Sequence, residues 1–357
     1  SVFGVAAIYS ATFMREGQWA FLKTFWVRQS IWVSLGLVVY LAMSLIDYRW
    51  IKEQSGAVVV YLIGLLLLVA VDLGGSVRSG AQSWLQLGPI DLQPSQVALL
   101  GGILLLAVAL SETGPTRNPI SPLWRVMIAG VMVAGPFVLI LKQPDLGSAL
   151  VWVPVFLLML YVGGVPKRWL LLLIIVGAGI CAPLAIAFVL KPYQIDRLLV
   201  FRDPEADPLD TGYAILQSMT AIGSAGVEGR GWLSPETQNA KGFIPITTAH
   251  NDYLFTVLAE QLGLVGTLIL VMILTVLLLT ILYIGLRSDD HMGALIASGV
   301  AATLFAHIFL NAGMTVSLVP ITGLPLPLLS YGGTFAIIVL LMLGIVQSIW
   351  IHRDRRF

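Results

Sequence analysis

Apolar runs separated by short polar stretches dominate the sequence. A helix needs about 20 mostly apolar residues to span a bilayer, and most of the runs approach or exceed that length. Ten runs occur, at about 1–13, 29–46, 57–71, 94–110, 123–141, 147–165, 169–190, 253–286, 292–318 and 331–351. The pattern predicts an all-α, polytopic integral membrane protein with about ten transmembrane helices, built as a single domain over residues 1–357.

The composition agrees with this class. The 357 residues are 58% hydrophobic and 11% charged, with a mean hydropathy of +0.91. Because soluble domains carry roughly a quarter charged residues, a soluble domain, a disordered chain and a nucleic-acid binder are excluded. Cys181 is the single cysteine, which excludes an intrachain disulfide and a cysteine-based metal site. The four histidines show no metal-ligand spacing.

Lysine and arginine are distributed unevenly among the connections. With the N-terminus inside, the cytoplasmic segments carry ten of them, namely Arg49, Lys52, Arg117, Arg125, Lys167, Arg168, Arg287, Arg353, Arg355 and Arg356. The short outside connections carry five, namely Arg15, Lys23, Arg28, Arg78 and Lys142. The positive-inside rule therefore predicts that both termini are cytoplasmic.

The connection over residues 191–252 is the longest polar segment, and with ten spans it lies outside the cell. Besides Asp252 at its end it contains seven acidic and five basic residues, several prolines and a glycine-rich stretch from Gly223 to Gly231. Since structureless connections of this length are uncommon, we expect a folded or re-entrant extracytoplasmic cap. Asp203 and Asp207, each followed by proline, predict turns within it.

Two arginines of this connection are candidates for substrate binding. Arg197 and Arg202 flank the apolar residues 198–201, an arrangement suited to the membrane surface. Their guanidinium groups either bind the phosphate of a membrane-embedded substrate or anchor the segment to lipid headgroups. The residues alone leave both interpretations open.

Asp252 is the candidate catalytic residue, just ahead of the eighth apolar run. It either caps that helix or lies partly buried at the outer membrane boundary, where a raised pKa makes it a serviceable general base. Glu260 lies eight residues further on, about 12 Å deeper along a helix. An ionisable group at that depth is functional or paired by default.

Polar residues at two other boundaries complete the candidates. Lys142 and Asp145 flank Pro144 at an outside boundary, where they pair with each other unless Lys142 faces a diphosphate. The stretch 319–335 holds three prolines and three glycines, which predicts a non-helical re-entrant segment. Within it, Ser330 is placed to cap the tenth span.

Four long motifs follow one another along the chain. They are GAQSWLQLGPIDLQPSQ at 80–96, KQPDLGSAL at 142–150, RLLVFRDPEADPLDTGYAILQSMTAIGSAGVEGRGW at 197–232 with AHNDYLFTVLAEQLGLVG behind it, and PITGLPLPLLSYGG at 320–333. Together they resemble the SEDS family of cell-wall proteins, and the RodA-like members more than the FtsW-like ones. The resemblance covers essentially the whole chain from Asp47 onward.

The resemblance implies a peptidoglycan glycosyltransferase that polymerises lipid II, the undecaprenyl diphosphate-linked disaccharide peptide, into glycan strands on the outer face of the bacterial cytoplasmic membrane during cell elongation. The family works beside a class B penicillin-binding protein, which crosslinks the strands. By motif matching, Asp252 takes the family's essential acidic position. By the same matching, Lys142, Asp145, Arg197 and Arg202 become candidates for the polar cavity around it, and Glu260 and Ser330, singled out above from the residues alone, complete the substrate-binding candidates.

The implied chemistry needs one base and no enzyme nucleophile. The donor sugar is α-linked to the diphosphate and the product bond is β-1,4, so a single inversion suffices. Asp252 would take the proton of the acceptor hydroxyl. Because a diphosphate is a good leaving group, cationic stabilisation matters more than an acid, and Arg197, Arg202, Lys142 or a divalent cation such as Mg²⁺ or Mn²⁺ would provide it. No other cofactor is expected.

The chain departs from the family pattern at three places. Gln96 and Leu99 stand where the family commonly has a Glu and a Lys that form an ion pair. Gln261 replaces a frequent second Glu, and residues 245–250 lack an acidic residue common there. Two other function classes also fit the pattern, a flippase for the lipid-linked precursor and a non-catalytic scaffold for the penicillin-binding protein. A flippase needs polar groups across the bilayer, where Glu260 and His307 are the obvious candidates.

Overall fold

Membrane-length helices form most of the structure, a computed structural model that describes residues 1–13, 24–53, 55–78, 81–88, 90–113, 120–206 and 212–353. Eight helical segments of this part are long and apolar enough to cross a bilayer, and two shorter apolar helices accompany them. The expected multi-pass helical membrane protein is thus confirmed, while the number of about ten spans stays a prediction. Outside the described residues lie Arg15, Lys23, Arg117, Asp207, Arg355 and Arg356.

The helices follow the apolar runs closely. In chain order they are α1 Val2–Thr12, α2 Phe25–Leu45, α3 Trp50–Glu53, α4 Gly56–Gly74, α5 Pro94–Glu112, α6 Pro122–Lys142, α7 Leu146–Val162, α8 Lys167–Val176, α9 Ala182–Phe188, α10 Pro192–Arg202, α11 Tyr213–Ser224, α12 Ile246–Ala249, α13 Leu254–Leu286, α14 His291–Thr315 and α15 Gly333–Ile351. A π-helical turn, Gly177–Cys181, joins α8 to α9.

Internal contacts divide the chain into two compact units. The first contains residues 1–37, 192–277 and 305–339, and the second contains residues 38–191, 278–304 and 340–357. Asp252, Arg197, Arg202, Glu260 and Ser330 belong to the first unit, whereas Lys142 and Asp145 belong to the second.

A small antiparallel sheet, which the apolar pattern does not predict, follows α4 in the second unit. Its strands are β1 Ser76–Arg78, β2 Ala81–Leu87 and β3 Ile90–Leu92, in the order β1-β2-β3. Ser76 pairs with Trp84 and Leu85 with Leu92. The backbone N–H of Gln82 donates to the carbonyl oxygen of Gln143 (3.2 Å) and its side-chain amide donates to that of Val71 (3.0 Å). These bonds fasten the sheet to the ends of α4 and α6.

Arg125, near the start of α6, is buried in the second unit. Its Nη1 donates to the carbonyl oxygens of Gly163 (3.3 Å) and Gly164 (3.4 Å), which directly follow α7. A helix leaves its last carbonyl groups without partners inside the helix. The guanidinium therefore satisfies backbone groups at the end of α7.

The segment 191–252 contains three helices, α10, α11 and α12, and a stretch without helix between α11 and α12. A 3₁₀ turn, Pro204–Ala206, follows α10, and the Oδ1 atom of Asp203 accepts a hydrogen bond from the backbone N–H of Glu205 (3.2 Å). The turn expected at Asp203 is confirmed. The side of the membrane on which the segment lies stays a prediction.

α13 is broken at Gly263, where the backbone adopts φ +67° and ψ −168°. The glycine-rich part of the preceding connection fills the break. The backbone N–H groups of Leu264 and Val265 donate to the carbonyl oxygens of Gly226 (3.1 Å) and Val227 (3.3 Å). These bonds satisfy the groups that the break leaves open, as a membrane environment requires.

The chain between α14 and α15 contains no helix, which confirms the character expected for the proline-rich stretch up to Gly333. Leu324, Leu326 and Leu329 of this re-entrant segment, defined as residues 316–332, are buried in the core of the first unit. Protein therefore covers this non-helical backbone, as it must at membrane depth.

Candidate active site

Asp252 lies in the turn between α12 and α13 and is partly buried. Its Oδ1 atom is enclosed and has no hydrogen-bond partner among the described residues. No N–H of the described part of α13 donates to the carboxylate, so the helix-capping contact, one of the two roles expected for Asp252, is not formed. A buried acceptor without a partner is costly, so Oδ1 retains an unused capacity to accept a hydrogen bond.

The environment of Asp252 favours its protonated form. Burial raises the pKa of the carboxyl to about 6, and the positive charge of Arg197 opposes part of this effect. A base works best when its pKa lies near the operating pH. At neutral pH the carboxylate is ionised, yet it holds a proton more strongly than an exposed aspartate does.

The two arginines of α10 have different surroundings. Arg197 is half-buried, its guanidinium carbon lies 5.6 Å from the centre of the Tyr193 ring, and its charge acts on Asp252. Arg202 is exposed in the last turn of α10, where a cation interacts favourably with the helix dipole. The structure therefore brings Arg197 to the candidate base.

The re-entrant segment supports the turn that carries Asp252. The Oγ atom of Ser330 donates to the carbonyl oxygen of Asn251 (2.6 Å) and accepts from the backbone N–H of Leu326 (3.0 Å). The backbone N–H of Tyr331 donates to the carbonyl oxygen of His250 (2.9 Å). α15 begins only at Gly333, so the capping role expected for Ser330 is wrong, because its hydroxyl is already engaged by the turn.

His250 packs two residues ahead of Asp252. Its ring stacks on Phe25 with centroids 3.8 Å apart and meets Tyr331 edge-on at 5.3 Å. Nδ1 lies 2.8 Å from the carbonyl oxygen of Ile246 and therefore carries the hydrogen. Burial lowers the pKa of His250 to about 4, so the imidazole is neutral at pH 7. Its role here is to pack against the turn.

Asn311 of α14 is a residue of this site that the sequence motifs do not mark. Its side chain is fully buried, and Nδ2 donates to the carbonyl oxygens of Asp252 (2.9 Å) and Leu324 (2.7 Å). A polar side chain within a membrane span is functional or paired by default, and that rule is the signal that identifies it.

Glu260 is fully buried and binds the loop that precedes α12. Its Oε1 atom accepts from the backbone N–H of Gln238 (2.6 Å) and lies 3.6 Å from Nε of Arg230. The backbone N–H of Arg230 also donates to the carbonyl oxygen of Glu260 (2.9 Å). Of the two possibilities for an ionisable group at this depth, the structure shows a paired one.

Lys142 and Asp145 do not pair with each other, which corrects the expected ion pair. Asp145 caps α7 instead: its Oδ1 accepts from the backbone N–H of Ser148 (2.9 Å) and its Oδ2 from the Ser148 hydroxyl (2.7 Å). Lys142 is exposed at the end of α6. Asp145 therefore caps its own helix, and Lys142 forms no salt bridge with a carboxylate of the described residues.

Two of the three departures from the family pattern lie at buried positions. Gln96 and Leu99 of α5 are both buried, so an uncharged pair replaces an ion pair where desolvation of charge is costly. Gln261 has a partner of its own, because its Oε1 accepts from the hydroxyl of Ser10 (2.5 Å). Gln261 is thus a structural contact between α1 and α13.

Within the described ranges, no three His, Cys, Asp or Glu side chains are grouped as metal ligands. A Mg²⁺ or Mn²⁺ ion that accompanied a diphosphate would therefore take most of its oxygen ligands from phosphate and water, which suits Mg²⁺.

Comparison with known proteins identifies the family. The model of the FtsW, RodA and SpoVE proteins, described as a cell cycle protein family, matches residues 1–355. The chain is 38% identical to the peptidoglycan glycosyltransferase MrdB of Escherichia coli, over 90% of this chain and 84% of that protein. It is 31% identical to the peptidoglycan glycosyltransferase RodA of Treponema pallidum, over 97% and 94% of the two chains.

Solved structures agree with these relatives over nearly the full length. A chain from a study of structural coordination of polymerization and crosslinking by a peptidoglycan synthase complex superposes with a TM-score of 0.80 at 32% identity, over 99% of this chain and 97% of that one. The crystal structure of the Thermus thermophilus rod shape determining protein RodA superposes with a TM-score of 0.68 at 29% identity, over 99% and 96%. The chain therefore belongs to the FtsW/RodA/SpoVE family.

Proposed function

We propose that the chain is a peptidoglycan glycosyltransferase that polymerises lipid II into β-1,4 glycan strands at the outer face of the cytoplasmic membrane during cell elongation. Relatives that match over most of their length are peptidoglycan glycosyltransferases. The observation that supports the mechanism is the carboxylate of Asp252, whose buried Oδ1 has no partner within the described residues and lies in the field of Arg197.

The transfer step uses Asp252 as the base. Its carboxylate accepts the proton of the acceptor's GlcNAc 4-hydroxyl while that oxygen attacks the anomeric carbon of the donor sugar. The bond between the anomeric carbon and the diphosphate oxygen breaks, and the diphosphate leaves with the electron pair. The result is one inversion, from the α-linked donor to the β-linked product, with no covalent enzyme intermediate.

The leaving diphosphate needs positive charge beside it. Arg197 is half-buried, and a guanidinium fork matches phosphate oxygens at two points. Arg202 and Lys142 are exposed cations, and each is a separate candidate for binding phosphate. A divalent cation would add Lewis-acid stabilisation of the diphosphate. Ser330 acts on the shape of the site through the turn that it supports, and Asp145 holds the start of α7 in the second unit.

The partners follow from the substrate and the family. Lipid II is the donor and acceptor, and a class B penicillin-binding protein crosslinks the strands beside the polymerase. A related chain was solved in work on polymerization and crosslinking by one synthase complex, which supports this pairing. The protein is a multi-pass membrane protein, with both termini in the cytoplasm and the catalytic residues on the outer side.

Transport of the precursor is less well supported, because each deep polar group that it would need is already bound through one atom, Oε1 of Glu260 and Nδ1 of His307; Oε2 and Nε2 are buried without a partner among the described residues. Glu260 binds Gln238 and faces Arg230. His307 lies with Nδ1 3.3 Å from the carbonyl oxygen of Pro325. Both side chains stabilise non-helical backbone, which favours transfer chemistry at Asp252 over a polar path through the bilayer.

The decisive experiment is polymerisation of labelled lipid II by the purified full-length protein together with its penicillin-binding partner. Wild type should form glycan polymer, and Asp252→Asn should form none at equal folded concentration. Glu205→Gln, an exposed carboxylate of the same connection, is the matched control and should retain wild-type activity. Polymer from Asp252→Asn at the wild-type rate contradicts the base assignment, and a wild type that makes no polymer contradicts the function.

A further inference from the structure

The side-chain amide of Asn311 joins the backbone of Asp252, the candidate base, to the re-entrant segment. Nδ2 of Asn311 carries two hydrogens, and the carbonyl oxygens of Asp252 (2.9 Å) and Leu324 (2.7 Å) accept one each. The reversed amide would place its oxygen against both carbonyl oxygens, so the contacts determine its orientation. The two acceptors lie in different non-helical segments, and Asn311 lies on a regular helix.

The position of Leu324 determines where its neighbour Gly323 lies relative to the Asp252 carboxylate. Gly323, its neighbour, has φ +66°, and a Cβ atom built on Gly323 would lie 3.8 Å from Oδ2 of Asp252. The backbone of Gly323 is therefore a wall of the space beside the carboxylate. Asn311 holds that wall and the backbone of Asp252 at the same time.

The contacts of α14 with the re-entrant segment continue one turn earlier. His307 precedes Asn311 by four residues, and its Nδ1 lies 3.3 Å from the carbonyl oxygen of Pro325. Two successive carbonyl groups of the segment are thus held by side chains from one face of the helix. Both side chains are fully buried, so water does not compete for these bonds.

We propose that Asn311 is a positioning residue for the transfer step, which sets the distance between the Asp252 carboxylate and the acceptor hydroxyl. This inference rests on the proposed function and extends it to a residue that touches neither substrate nor reacting atoms. A general base must lie within hydrogen-bond reach of the proton that it removes. A misplacement of about 1 Å can lower the rate on the order of 100-fold.

The test compares two variants of α14 in the lipid II assay with the full-length protein and its partner. Asn311→Leu removes both donors at similar volume, and we expect kcat to fall roughly tenfold or more per folded molecule while KM stays near the wild-type value. Thr303→Val is the matched control, because the Thr303 hydroxyl is buried and donates only within α14, to Gly299 (2.9 Å). Equal kcat values for the two variants, or a loss confined to KM, would overturn the proposal.

A second measurement covers the case in which Asn311→Leu does not fold. Asn311→Asp keeps the shape and offers at most one donor, so its kcat should also fall, and an unchanged kcat would overturn the proposal. In both variants, backbone amides of residues 246–258 and of residues 316–332 should exchange hydrogen for deuterium faster than in wild type, since one amide holds both segments. If neither segment exchanges faster, Asn311 does not link them. A wild type that lacks polymerisation overturns the proposed function, and the exchange experiment still tests Asn311.

Discussion

The backbones of Gly229 and Gly263 lie in direct contact, and neither residue has room for a side chain. A Cβ atom on Gly263 would collide with the amide nitrogen of Gly229, and one on Gly229 would collide with the carbonyl oxygen of Gln261. Both glycines have positive φ, +81° and +67° respectively. The contact holds the glycine-rich connection against the break of α13, the helix that follows the turn carrying Asp252.

Gly263→Ala should therefore destabilise the protein. The substitution adds a backbone collision to a conformation that L-residues rarely adopt, and we expect a loss of at least about 2 kcal/mol. Thermal unfolding in detergent measures it.

Two glycines of the same connection serve as controls for this variant. Gly223 lies in α11 with no atom near a Cβ position, so Gly223→Ala should be neutral or stabilising by up to about 1 kcal/mol. Gly231 has φ +92° but open space, so its replacement by Ala should cost only the backbone strain. If Gly263→Ala and Gly223→Ala have the same unfolding temperature, the close contact between Gly229 and Gly263 does not exist.

The rate of polymerisation should depend on pH through Asp252. The carboxyl must be ionised to accept a proton, and burial raises its pKa to about 6, so activity should rise as pH increases through about 6 and level off above it. Arg197→Gln removes a charge that lowers this pKa, and the rising limb should move to higher pH. A pH–rate profile of both proteins checks the direction; a limb that stays in place shows that Arg197 does not act on the base.

Asp252→Asn should raise stability at neutral pH while it abolishes transfer. The pKa of Asp252 is higher in the folded protein than its ordinary value of 3.8, so its contribution to stability is present at low pH and declines as pH rises through about 6. The neutral amide avoids this loss, which is at most about 3 kcal/mol for a shift of about two units. Unfolding temperatures should differ at pH 8 and converge near pH 4; the opposite trend would mean that an unrecognised donor stabilises the carboxylate.

Glu260 should matter to folding more than to chemistry. Glu260→Leu leaves the backbone N–H of Gln238 without an acceptor and removes the buried carboxylate beside Arg230, and should cost about 2–4 kcal/mol. Glu260→Gln keeps an acceptor and should retain the wild-type kcat per folded molecule. A folded Glu260→Gln that makes no polymer would show that Glu260 contacts the substrate after all.

Substitutions of Lys142 and of Asp145 should have different effects on stability and on activity. Asp145→Ala removes the cap of α7 and should cost about 1 kcal/mol. Lys142 is exposed, so Lys142→Gln should leave stability within about 0.5 kcal/mol and raise KM for lipid II if its charge binds the diphosphate. An unchanged KM removes Lys142 from the substrate site.

The helices could be predicted because a bilayer demands long apolar runs. α15 occupies Gly333–Ile351 within the run 331–351, and α4 occupies Gly56–Gly74 around the run 57–71. The break at Gly263 could not be predicted, since an isolated glycine costs a helix only about 1 kcal/mol and the run 253–286 continues across it. The sheet of β1–β3 could not be predicted either, because strands of three to seven residues depend on their pairing partners.

Part of the candidate site follows from local sequence and part only from the fold. Asp252 stands out as an acidic residue at a membrane boundary. The partners of Glu260 come from a loop without periodicity, and Asp145 is used by its own helix, so neither contact has a signal in residue spacing. Asn311 has such a signal, as an amide within an apolar run, although its double contact requires two distant segments to meet.

The burial of Arg125 limits the stage at which its charge can act on the orientation that the positive-inside rule predicts. In the folded protein its guanidinium is enclosed and bound to the end of α7, so it cannot interact with lipid headgroups. Its charge is available to orient the chain only while α6 is entering the membrane, before α7 has folded beside it. The order in which the two helices are inserted therefore decides whether Arg125 counts among the charges that establish topology.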